Sequence, residues 1–599
     1  MRNTRQVLLG AALLAAGSIF GVLGALHAPA SAQANPDKST TAALPEREVT
    51  ANIDREIAKV WERDKLTPAS ASTDEEFMRR VYFDTIGLPP TPAEVRAFLA
   101  DADKEKRRNL VATLVADKRF SQHMADQWTN IIVGRAGRDY GGANHLFAIW
   151  FAERISAGDN FNDIIYDLIT ASGQLSENPA IAPYIRSIPA KVPDLAGNLT
   201  RNLTGVQIQC AQCHDHPYEE AWTEGVFTGV ASFFAPVSVN LNIRTLPVDP
   251  AVGDQARPVR LPPRGMEELP ADARNRIEEQ QKYNKPVTLD GKPLKTDDRS
   301  LWRPAMAKWM IAKDNKQTAR YIVNRFWSFA FGSGLLNPVD DFNSFNEASH
   351  PELLEWLAQD LIDNDYDFRR LYRAILNSRT YQLSSKGAHP KAEAWHFASA
   401  AVRQLNAEQF FGAFVRISGG DDMARSYRAR NISPGEQLKR ATERRMKQAK
   451  ESDDPNQRDF GYSQESLDRF VAWYDKLDDG WYLRRTMAQG FARLSSDDEM
   501  TEAEGFSLTI DQALAVMNSE LTQSLTGSGR GSIIQGLQRD FKDDPTRLDE
   551  LYLKVLGRFP TAAERVTMLG YLKDQKGGTA AWEDIVFALL AGTEFATNH

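Results

Sequence analysis

Two cysteines stand three residues apart in the stretch "GVQIQCAQCHDHPYEEAW", and they are the only two in 599 residues. They are Cys210 and Cys213, and His214 follows directly. Cys-x-x-Cys-His is typical of c-type haem attachment. The two thiols bond to the two vinyl groups of the porphyrin, and the histidine binds the iron. The motif therefore predicts one covalent haem c, with Cys210 and Cys213 as thioethers and His214 as the proximal iron ligand.

Other chemistry is open to the same residues. The pair of cysteines could be a redox disulfide, although that motif normally opens a helix after a strand. A structural disulfide is open in an oxidising compartment. A metal site could use Cys210, Cys213, His214 and His216, but these ligands crowd into seven residues, closer than the two separated pairs of most zinc sites.

The opposite face of the predicted haem has several candidate ligands. His216 is too close to His214 to reach that face, so we expect His216 and Asp215 to tune the site through hydrogen bonds. His123, Met124 and His145 are the candidates for the distal position. Met78 is a further one, and a five-coordinate iron or a bound water is the remaining alternative.

No enzyme signature accompanies the cysteine motif. The sequence has no G-x-S-x-G, no H-E-x-x-H, no phosphate loop and no dinucleotide fingerprint. Whether the protein is an enzyme, and which residues would be catalytic, is therefore left open by the sequence.

A second polar cluster lies in "NPVDDFNSFNEASHPELLEW". One interpretation is a metal or sugar site. The other, which we favour, is a long loop in which Ser349 caps a helix that begins at Pro351. Upstream, Arg325 lies in an apolar helical stretch and needs a partner, and we predict that it pairs with Asp340 or Asp341.

The N-terminus predicts export. Arg2 and Arg5 precede an uncharged run, Val7 to Leu26, and "APASAQA" supplies small residues for cleavage near Ala32. Residues 1–32 are therefore interpreted as a signal peptide that directs the protein to the periplasm or beyond. The alternative is an uncleaved N-terminal membrane anchor, because the run is 20 residues long.

Charge and hydropathy restrict the partners. The formal net charge is −8, and removal of Arg2 and Arg5 makes it −8 − 2 = −10. An acidic exported protein is a poor candidate for nucleic-acid binding. No later stretch is apolar enough to span a membrane, so we expect no membrane span after signal cleavage.

Apolar residues recur at three- and four-residue spacing along most of the chain, as in "FNDIIYDLITASG" and "FRRLYRAILNS". The pattern predicts a mainly α fold with little β, and "VQIQC" is the best candidate strand. Two helical domains should be joined by a proline-rich irregular segment, with a short hairpin predicted at "KPVTLDGKPL". The predicted order is a linker (33–46), a helical domain with the cysteine motif (47–236), the connector (237–298) and a helical companion domain (299–599) that carries a mobile polar insertion (419–464).

An internal echo links the two predicted domains. "VYFDTIGLPPTPAE" and "LYLKVLGRFPTAAE" match in their Tyr, Gly, Pro, Thr, Ala and Glu positions. At each place a helix should end on a left-handed glycine, Gly87 or Gly557. Thr91 or Thr561 should then cap the next helix, with a glutamate three residues on closing a capping box.

The chain resembles a known pair of families. "FMRRVYFDTIGLPPTPAEVRAFL" and "LTGVQIQCAQCHDHPYEEAWTEGVFTGVASFF" resemble the planctomycete cytochrome-C-like domain, a family of unknown function. The stretch from "RPAMAKWM" to "YQLSS" resembles its usual companion, another exported domain of unknown function, and "LYLKVLGRFPTAAE" and "LLAGTEFATNH" are similar to the companion's C-terminal end. The resemblance implies a haem c site at Cys210, Cys213 and His214. Larger relatives carry an additional cytochrome domain with its own CxxCH, whereas this chain has one such motif.

The residues and the resemblance together favour an exported haem protein that transfers electrons to an extracytoplasmic redox partner or a companion exported protein. A binding or scaffold protein, with the cysteines as a disulfide or metal site and with polysaccharide as one target, is the first alternative. A haem peroxidase is the second, and it would need a distal acid-base residue such as His123 or His145.

Overall fold

The computed structural model of the chain describes residues 44–134, 142–185, 191–240, 251–254, 281–417, 433–451, 464–477, 479–492 and 532–599, together with residues 274, 278 and 527. Ala43–His599 form one compact unit. The predicted signal peptide and nearly all of the predicted linker lie outside the described residues. In the described part of the chain, no helix combines the length and the apolar character that a bilayer crossing requires.

The prediction of a mainly α fold is confirmed. Among the described residues, ten helices precede the connector: α1 (Glu46–Arg63), α2 (Asp74–Ile86), α3 (Pro92–Ala100), α4 (Lys106–Ala116), α5 (Lys118–Ile132), α6 (Ala143–Ala157), α7 (Phe161–Thr170), α8 (Ala182–Ile185), α9 (Val192–Thr204) and α10 (Glu224–Ser232). Four single turns of 3₁₀ helix are interspersed along the described chain: Pro179–Ile181, Gln209–Gln212, Arg299–Leu301 and Ala394–His396.

The described residues after the connector are also helical. Their helices are α11 (Trp302–Met310), α12 (Gln317–Phe331), α13 (Pro351–Asp363), α14 (Phe368–Leu376), α15 (Ala407–Ile417), α16 (Pro434–Glu451), α17 (Gln464–Tyr474), α18 (Asp479–Ala492), α19 (Ile533–Asp540), α20 (Asp544–Leu556), α21 (Ala562–Asp574), α22 (Thr579–Leu590) and α23 (Thr593–Ala596). Within the predicted mobile insertion the structure contains α16, and the rest of that segment lies largely outside the described residues.

Strands are few and short in the described chain. Three of them form a small antiparallel sheet in the order β1-β3-β2: β1 (Gly173–Gln174), β2 (Val237–Asn240) and β3 (Ala251–Asp254). β4 (Arg403–Gln404) pairs with β5 (Thr597–Asn598), so Arg403 lies opposite Asn598. The predicted hairpin at "KPVTLDGKPL" is present as a tight turn, in which Thr288 N–H donates to Lys292 O at 3.0 Å and Val287 bridges Pro293.

The candidate strand at "VQIQC" is wrong. Val206 and Ile208 are both buried, yet the segment has no strand partner and runs into the 3₁₀ turn Gln209–Gln212. Alternating burial arises here because two side chains anchor a loop in the helical core, and alternation by itself does not distinguish such a loop from a strand.

The hydrophobic core does not stop at the connector. One cluster of buried side chains joins residues from α1, α5 and α9 with residues from α12, α13 and α14. Trp128 of α5 packs against Phe326 of α12, with ring centroids 6.2 Å apart. The boundaries of the two predicted domains stay a prediction, but the side chains on both sides of the connector share this core.

The internal echo has the predicted local structure at both places. Gly87 ends α2 with φ 66° and Gly557 ends α20 with φ 72°, both left-handed. Thr91 and Thr561 each form a full capping box with the glutamate three residues on. The two units also pack together, because α3 contacts α20 and Arg96 pairs with Glu550 at 2.7 Å.

The echo supplies a matched pair of substitutions. A Cβ on Gly87 would collide with the buried ring of His123, whereas the nearest atom to a Cβ on Gly557 is Pro90 Cγ at 3.5 Å. We expect Gly557→Ala to cost about 1 kcal/mol, the strain of a left-handed alanine, and Gly87→Ala to cost about 2 kcal/mol or more because the histidine must also move. Thermal unfolding of both variants checks this, and equal losses would contradict it.

Candidate functional site

The cysteine motif is held at the surface by buried neighbours. α9 ends at Thr204, and Gly205 takes a left-handed conformation with φ 69° that turns the chain out of the helix. Val206 and Ile208 are buried and anchor the next residues. The 3₁₀ turn then buries Ala211 and leaves Cys210 and Cys213 exposed and free. Both thiols are therefore open to chemistry while the turn between them is fixed.

His214 and Asp215 follow the turn and are exposed. His214 Nδ1 lies 2.7 Å from the carbonyl oxygen of Asp215. A carbonyl only accepts, so this contact places the ring hydrogen on Nδ1 and leaves the Nε2 lone pair available to a metal. The Asp215 carboxylate accepts from Glu224 N–H at 2.9 Å, which ties the motif to the start of α10.

His216 orders the loop that follows the motif. Its Nδ1 accepts from the backbone N–H groups of Tyr218 at 3.3 Å and Glu219 at 3.1 Å. The ring packs edge-on against Trp222, with centroids 5.2 Å apart. Through these contacts His216 holds the loop beside the motif, while its role next to an iron ligand stays a prediction.

Residues from beyond the connector clamp the motif in place. Gln317 Nε2 donates to Thr204 O at 2.8 Å, and Phe342 N–H donates to Gly205 O at 2.8 Å. A Cβ on Gly205 would lie 2.6 Å from Tyr321 and 2.8 Å from Phe342, so only glycine fits at this crossing. The position of the motif thus depends on α12 and on the loop after it.

An ion-pair triad reinforces this clamp. Asp340 Oδ2 accepts from Arg201 Nε of α9 at 2.8 Å and lies 3.6 Å from Arg325 Nη2 of α12. The predicted pairing of Arg325 with Asp340 is confirmed. The sequence did not predict Arg201, which lies 139 residues before Asp340 and gives no local signal of its partner.

The polar loop around Asp341 is largely satisfied by its own hydrogen bonds. Asn343 Nδ2 donates to Asp341 Oδ1 at 3.0 Å, and Asn346 Nδ2 donates to Asp341 Oδ2 at 3.0 Å. The prediction that Ser349 caps the next helix is wrong. Its hydroxyl bonds to Leu335 O at 3.0 Å, and α13 begins after His350 without a side-chain cap.

The same loop joins the segment that follows the cysteine motif. Ser344 N–H donates to Glu219 Oε2 at 3.1 Å, and its hydroxyl donates to Tyr218 O at 3.2 Å. The ring of Tyr218 meets that of Phe345, with centroids 5.3 Å apart. Both rings are exposed, Tyr218 by 59% and Phe345 by 68%. Sequence analysis missed this pair, because no motif relates two aromatic residues 127 positions apart.

The candidate distal ligands are buried in the helical core. His123 and Met124 lie on α5, His145 lies on α6, and Met78 lies on α2. His123 packs against Gly87 at the end of α2. His145 Nδ1 accepts from Arg485 Nε at 3.2 Å, and its ring packs against the rings of Tyr474 and Tyr482. The assignment of a distal ligand stays a prediction.

Burial of His123 has a consequence for stability. Desolvation, with the nearby charge of Arg484, lowers the pKa of His123 to about 3. In the unfolded chain the pKa of a histidine is about 6.5, so between these values the unfolded state binds a proton that the folded state does not. His123 therefore destabilises the fold as the pH falls below about 6.5.

We expect His123→Gln to lose less stability than the parent protein on acidification. From pH 6.5 to pH 4.5 the parent protein should lose about 2 kcal/mol more unfolding free energy than His123→Gln, since one such group contributes up to about 1.4 kcal/mol per pH unit. Urea unfolding at both pH values measures it. His389→Gln, which replaces a partly exposed histidine, is the control, and its change in unfolding free energy between the two pH values should match that of the parent protein. His350, whose burial lowers its pKa to about 4, acts in the same direction in all three proteins. Parallel curves for the parent and His123→Gln would contradict the expectation.

The donor set of the motif fits a c-type haem. Two free exposed thiols flank a buried alanine, and the adjacent imidazole has its Nδ1 hydrogen bonded to Asp215 O, which leaves Nε2 available to a metal. Among the described residues, no three or more His, Cys, Asp or Glu side chains lie close enough to hold a metal ion.

Comparison with known proteins gives two family matches in N-to-C order. Residues 52–239 match PSCyt2, described as a protein of unknown function (DUF1549). Residues 302–572 match PSD1, described as a protein of unknown function (DUF1553). No curated protein and no solved structure matches the chain. The companion-domain pairing expected from the sequence is thus supported, and the clamp described above joins residues of one matched region to residues of the other.

Proposed function

We propose that this chain is an exported c-type haem protein that transfers electrons through one haem attached at Cys210, Cys213 and His214. The observation that carries the proposal is the state of the motif. Both thiols are free and exposed on one fixed turn, and the next residue is a histidine whose Nδ1 is hydrogen bonded to Asp215 O. When bound, haem supplies one-electron chemistry at its iron.

The protein residues have separate tasks in this proposal. Cys210 and Cys213 tether the group, and His214 ligates through Nε2. The Asp215 carbonyl fixes the tautomer and orientation of the His214 ring and raises its basicity as a ligand. The clamp from Gln317, Phe342 and Asp340 keeps this segment in place, which limits reorganisation when the charge of the site changes.

Export belongs to the same proposal. The N-terminal segment predicts a signal peptide with cleavage near Ala32, and c-type haem is attached outside the cytoplasm. We therefore place the mature protein in the periplasm or outside the cell, with an uncleaved membrane anchor as the alternative.

The test is the intact mass of the full chain exported in a bacterium with a working cytochrome c maturation system. We expect a gain of one haem, loss of the first 32 residues, and a haem band that survives denaturing electrophoresis. Cys210→Ala with Cys213→Ala should abolish covalent haem. His214→Ala should alter the axial ligation and therefore the absorption spectrum.

The control is His389→Ala, which replaces a partly exposed histidine outside the motif and should keep both haem and spectrum. A mass without the addition of one haem would overturn the proposal. In that case a loss of two hydrogens would favour the disulfide, and bound zinc in native mass spectra would favour the metal site. Peroxide turnover by haem-loaded protein would favour the peroxidase over an electron carrier.

The polysaccharide alternative draws little support from the tryptophan residues. The chain has 12 of them, and each is buried or only partly exposed in the described residues. Sugar-binding surfaces that stack rings on aromatic side chains need open faces, and seven of the 12 tryptophans are buried in the core.

A further inference from the structure

An exposed aromatic pair lies next to the cysteine motif. Tyr218 comes four residues after His214, and Phe345 meets it from the loop after α12. Most aromatic residues of the described chain are in the core. Among the ring contacts of the described residues, this is the one pair in which both rings are largely exposed. Large exposed aromatic groups of this kind are typical of protein-protein interfaces.

The pair is preformed. Its two loops are joined by the hydrogen bonds of Ser344 to Glu219 and to the backbone of Tyr218. Behind them, Phe342 N–H bonds to Gly205 O. A partner that binds these rings would thus pay little ordering entropy, which favours a specific complex.

The two segments that carry the pair have charged residues of one sign. The two segments 205–226 and 338–350 contain seven acidic residues and no Lys or Arg: Asp215, Glu219, Glu220, Glu224, Asp340, Asp341 and Glu347. The whole chain is nearly balanced, with 72 basic and 80 acidic residues, so this composition is a local feature. Asp340 is neutralised by the two arginines of the ion-pair triad. Glu224 lies 4.0 Å from Lys282. Asp215, Glu220 and Glu347 are exposed.

We propose that Tyr218 and Phe345, with the acidic rim formed by Asp215, Glu220 and Glu347, form the docking surface for a redox partner protein with a lysine-rich face. The rings supply the buried centre of the contact and the carboxylates steer the basic partner. Nucleic acids and anionic lipid surfaces would be repelled by this rim, and so would a second copy of the chain, which presents the same charge. The proposal names the partner class for the proposed haem site and rests on it for the electron transfer, but the binding itself does not require haem.

The test measures binding of the full chain to a lysine-rich c-type cytochrome as the probe, by biolayer interferometry. The charge-reversal variant Glu220→Lys/Glu347→Lys should bind about tenfold more weakly at about 50 mM salt, and the difference should vanish at about 500 mM, where surface charges are screened. The variant Tyr218→Ser/Phe345→Ser should lose about tenfold at both salt concentrations, because its effect is apolar.

The controls repeat these changes elsewhere. Glu62→Lys/Asp574→Lys reverses two exposed carboxylates on other helices, and Val566→Ser/Phe587→Ser removes two exposed apolar side chains near the C-terminus. Both should bind the probe within about twofold of the parent, since they lie outside the proposed contact. Equal thermal midpoints confirm that the variants are folded.

Failure of this proposal and failure of the haem proposal are distinguishable, because haem content is measured on the same samples. If the protein carries no haem but binds the probe, and the two site variants weaken that binding, the docking surface is upheld and the electron-carrier proposal is overturned. Haem-loaded protein that does not bind the probe, or that is weakened equally by the controls, would overturn the surface alone.

Discussion

Replacing Asp126 by alanine should lower the free energy of unfolding by about 3–5 kcal/mol, because one buried carboxylate serves two buried arginines. Asp126 Oδ2 accepts from Arg484 Nη2 at 2.9 Å, and Oδ1 pairs with Arg485 Nη1. Trp481 Nε1 donates to the same carboxylate at 3.0 Å. Without Asp126 two guanidinium groups would be left buried beside α5, and no other carboxylate of the described residues forms an ion pair with either of them.

The loss should be concentrated in α18, since all three donors lie on that helix. Thermal unfolding gives the overall effect, and hydrogen exchange of residues 479–492 shows whether α18 is released first. Asp468→Ala is the control, because Asp468 is exposed and accepts from Gln464 Nε2 at 2.8 Å. It should change stability by less than about 0.5 kcal/mol. Unchanged exchange in Asp126→Ala would show that water replaces the carboxylate at little cost.

The second large effect concerns Arg79, a buried guanidinium bonded to backbone carbonyls. It donates to Leu556 O at 3.4 Å, Glu594 O at 2.9 Å, Phe595 O at 3.1 Å and Thr597 O at 3.1 Å. These oxygens lie at or near the carboxyl ends of α20 and α23, where a helix leaves its last carbonyls without partners. Burial lowers the pKa of Arg79 only to about 10, so the group stays charged at neutral pH.

Arg79→Met keeps the apolar length of the side chain and removes every donor. We expect a loss of about 3 kcal/mol, since charged hydrogen bonds to buried carbonyls are lost and the carbonyls stay buried. Arg96→Met is the matched control on the neighbouring helix. Arg96 is half exposed and pairs with Glu550 at 2.7 Å, so its loss should cost less than about 1 kcal/mol. Thermal unfolding measures both, and similar losses would show that the carbonyls find other partners.

Local features of this fold were predictable from the sequence, and long-range ones were not. Gly87, Thr91, Gly557 and Thr561 take the predicted roles, because each cap is decided within a few residues. The ion pairs of Asp126 connect positions 358 and 359 apart, and Asp340 reaches Arg201 as well as the predicted Arg325. A charged residue in an apolar stretch predicts that a partner exists, but the partner's position is set by the packing of distant helices.

The candidate site divides in the same way. Cys210, Cys213 and His214 are predicted as a haem site from their spacing, and that assignment stays a prediction. The structure places both thiols at the surface on one 3₁₀ turn. The prediction for Ser349 is wrong because a serine two residues before a proline does not by itself show where its hydroxyl bonds. Here the hydroxyl donates to Leu335 O. Tyr218 and Phe345 carry no sequence signal, since their contact depends on two loops that meet only in the folded chain.

The clamp across the two matched regions has an evolutionary consequence. Gly205 is confined by Tyr321 and Phe342, which belong to the other matched region. A larger residue at 205 would need smaller ones at 321 or 342 and would still carry the strain of a left-handed backbone, so we expect selection to act on these positions jointly. Because neither region can vary freely at this crossing, recombination that separates them should be disfavoured, and the two should be inherited as a pair within one gene.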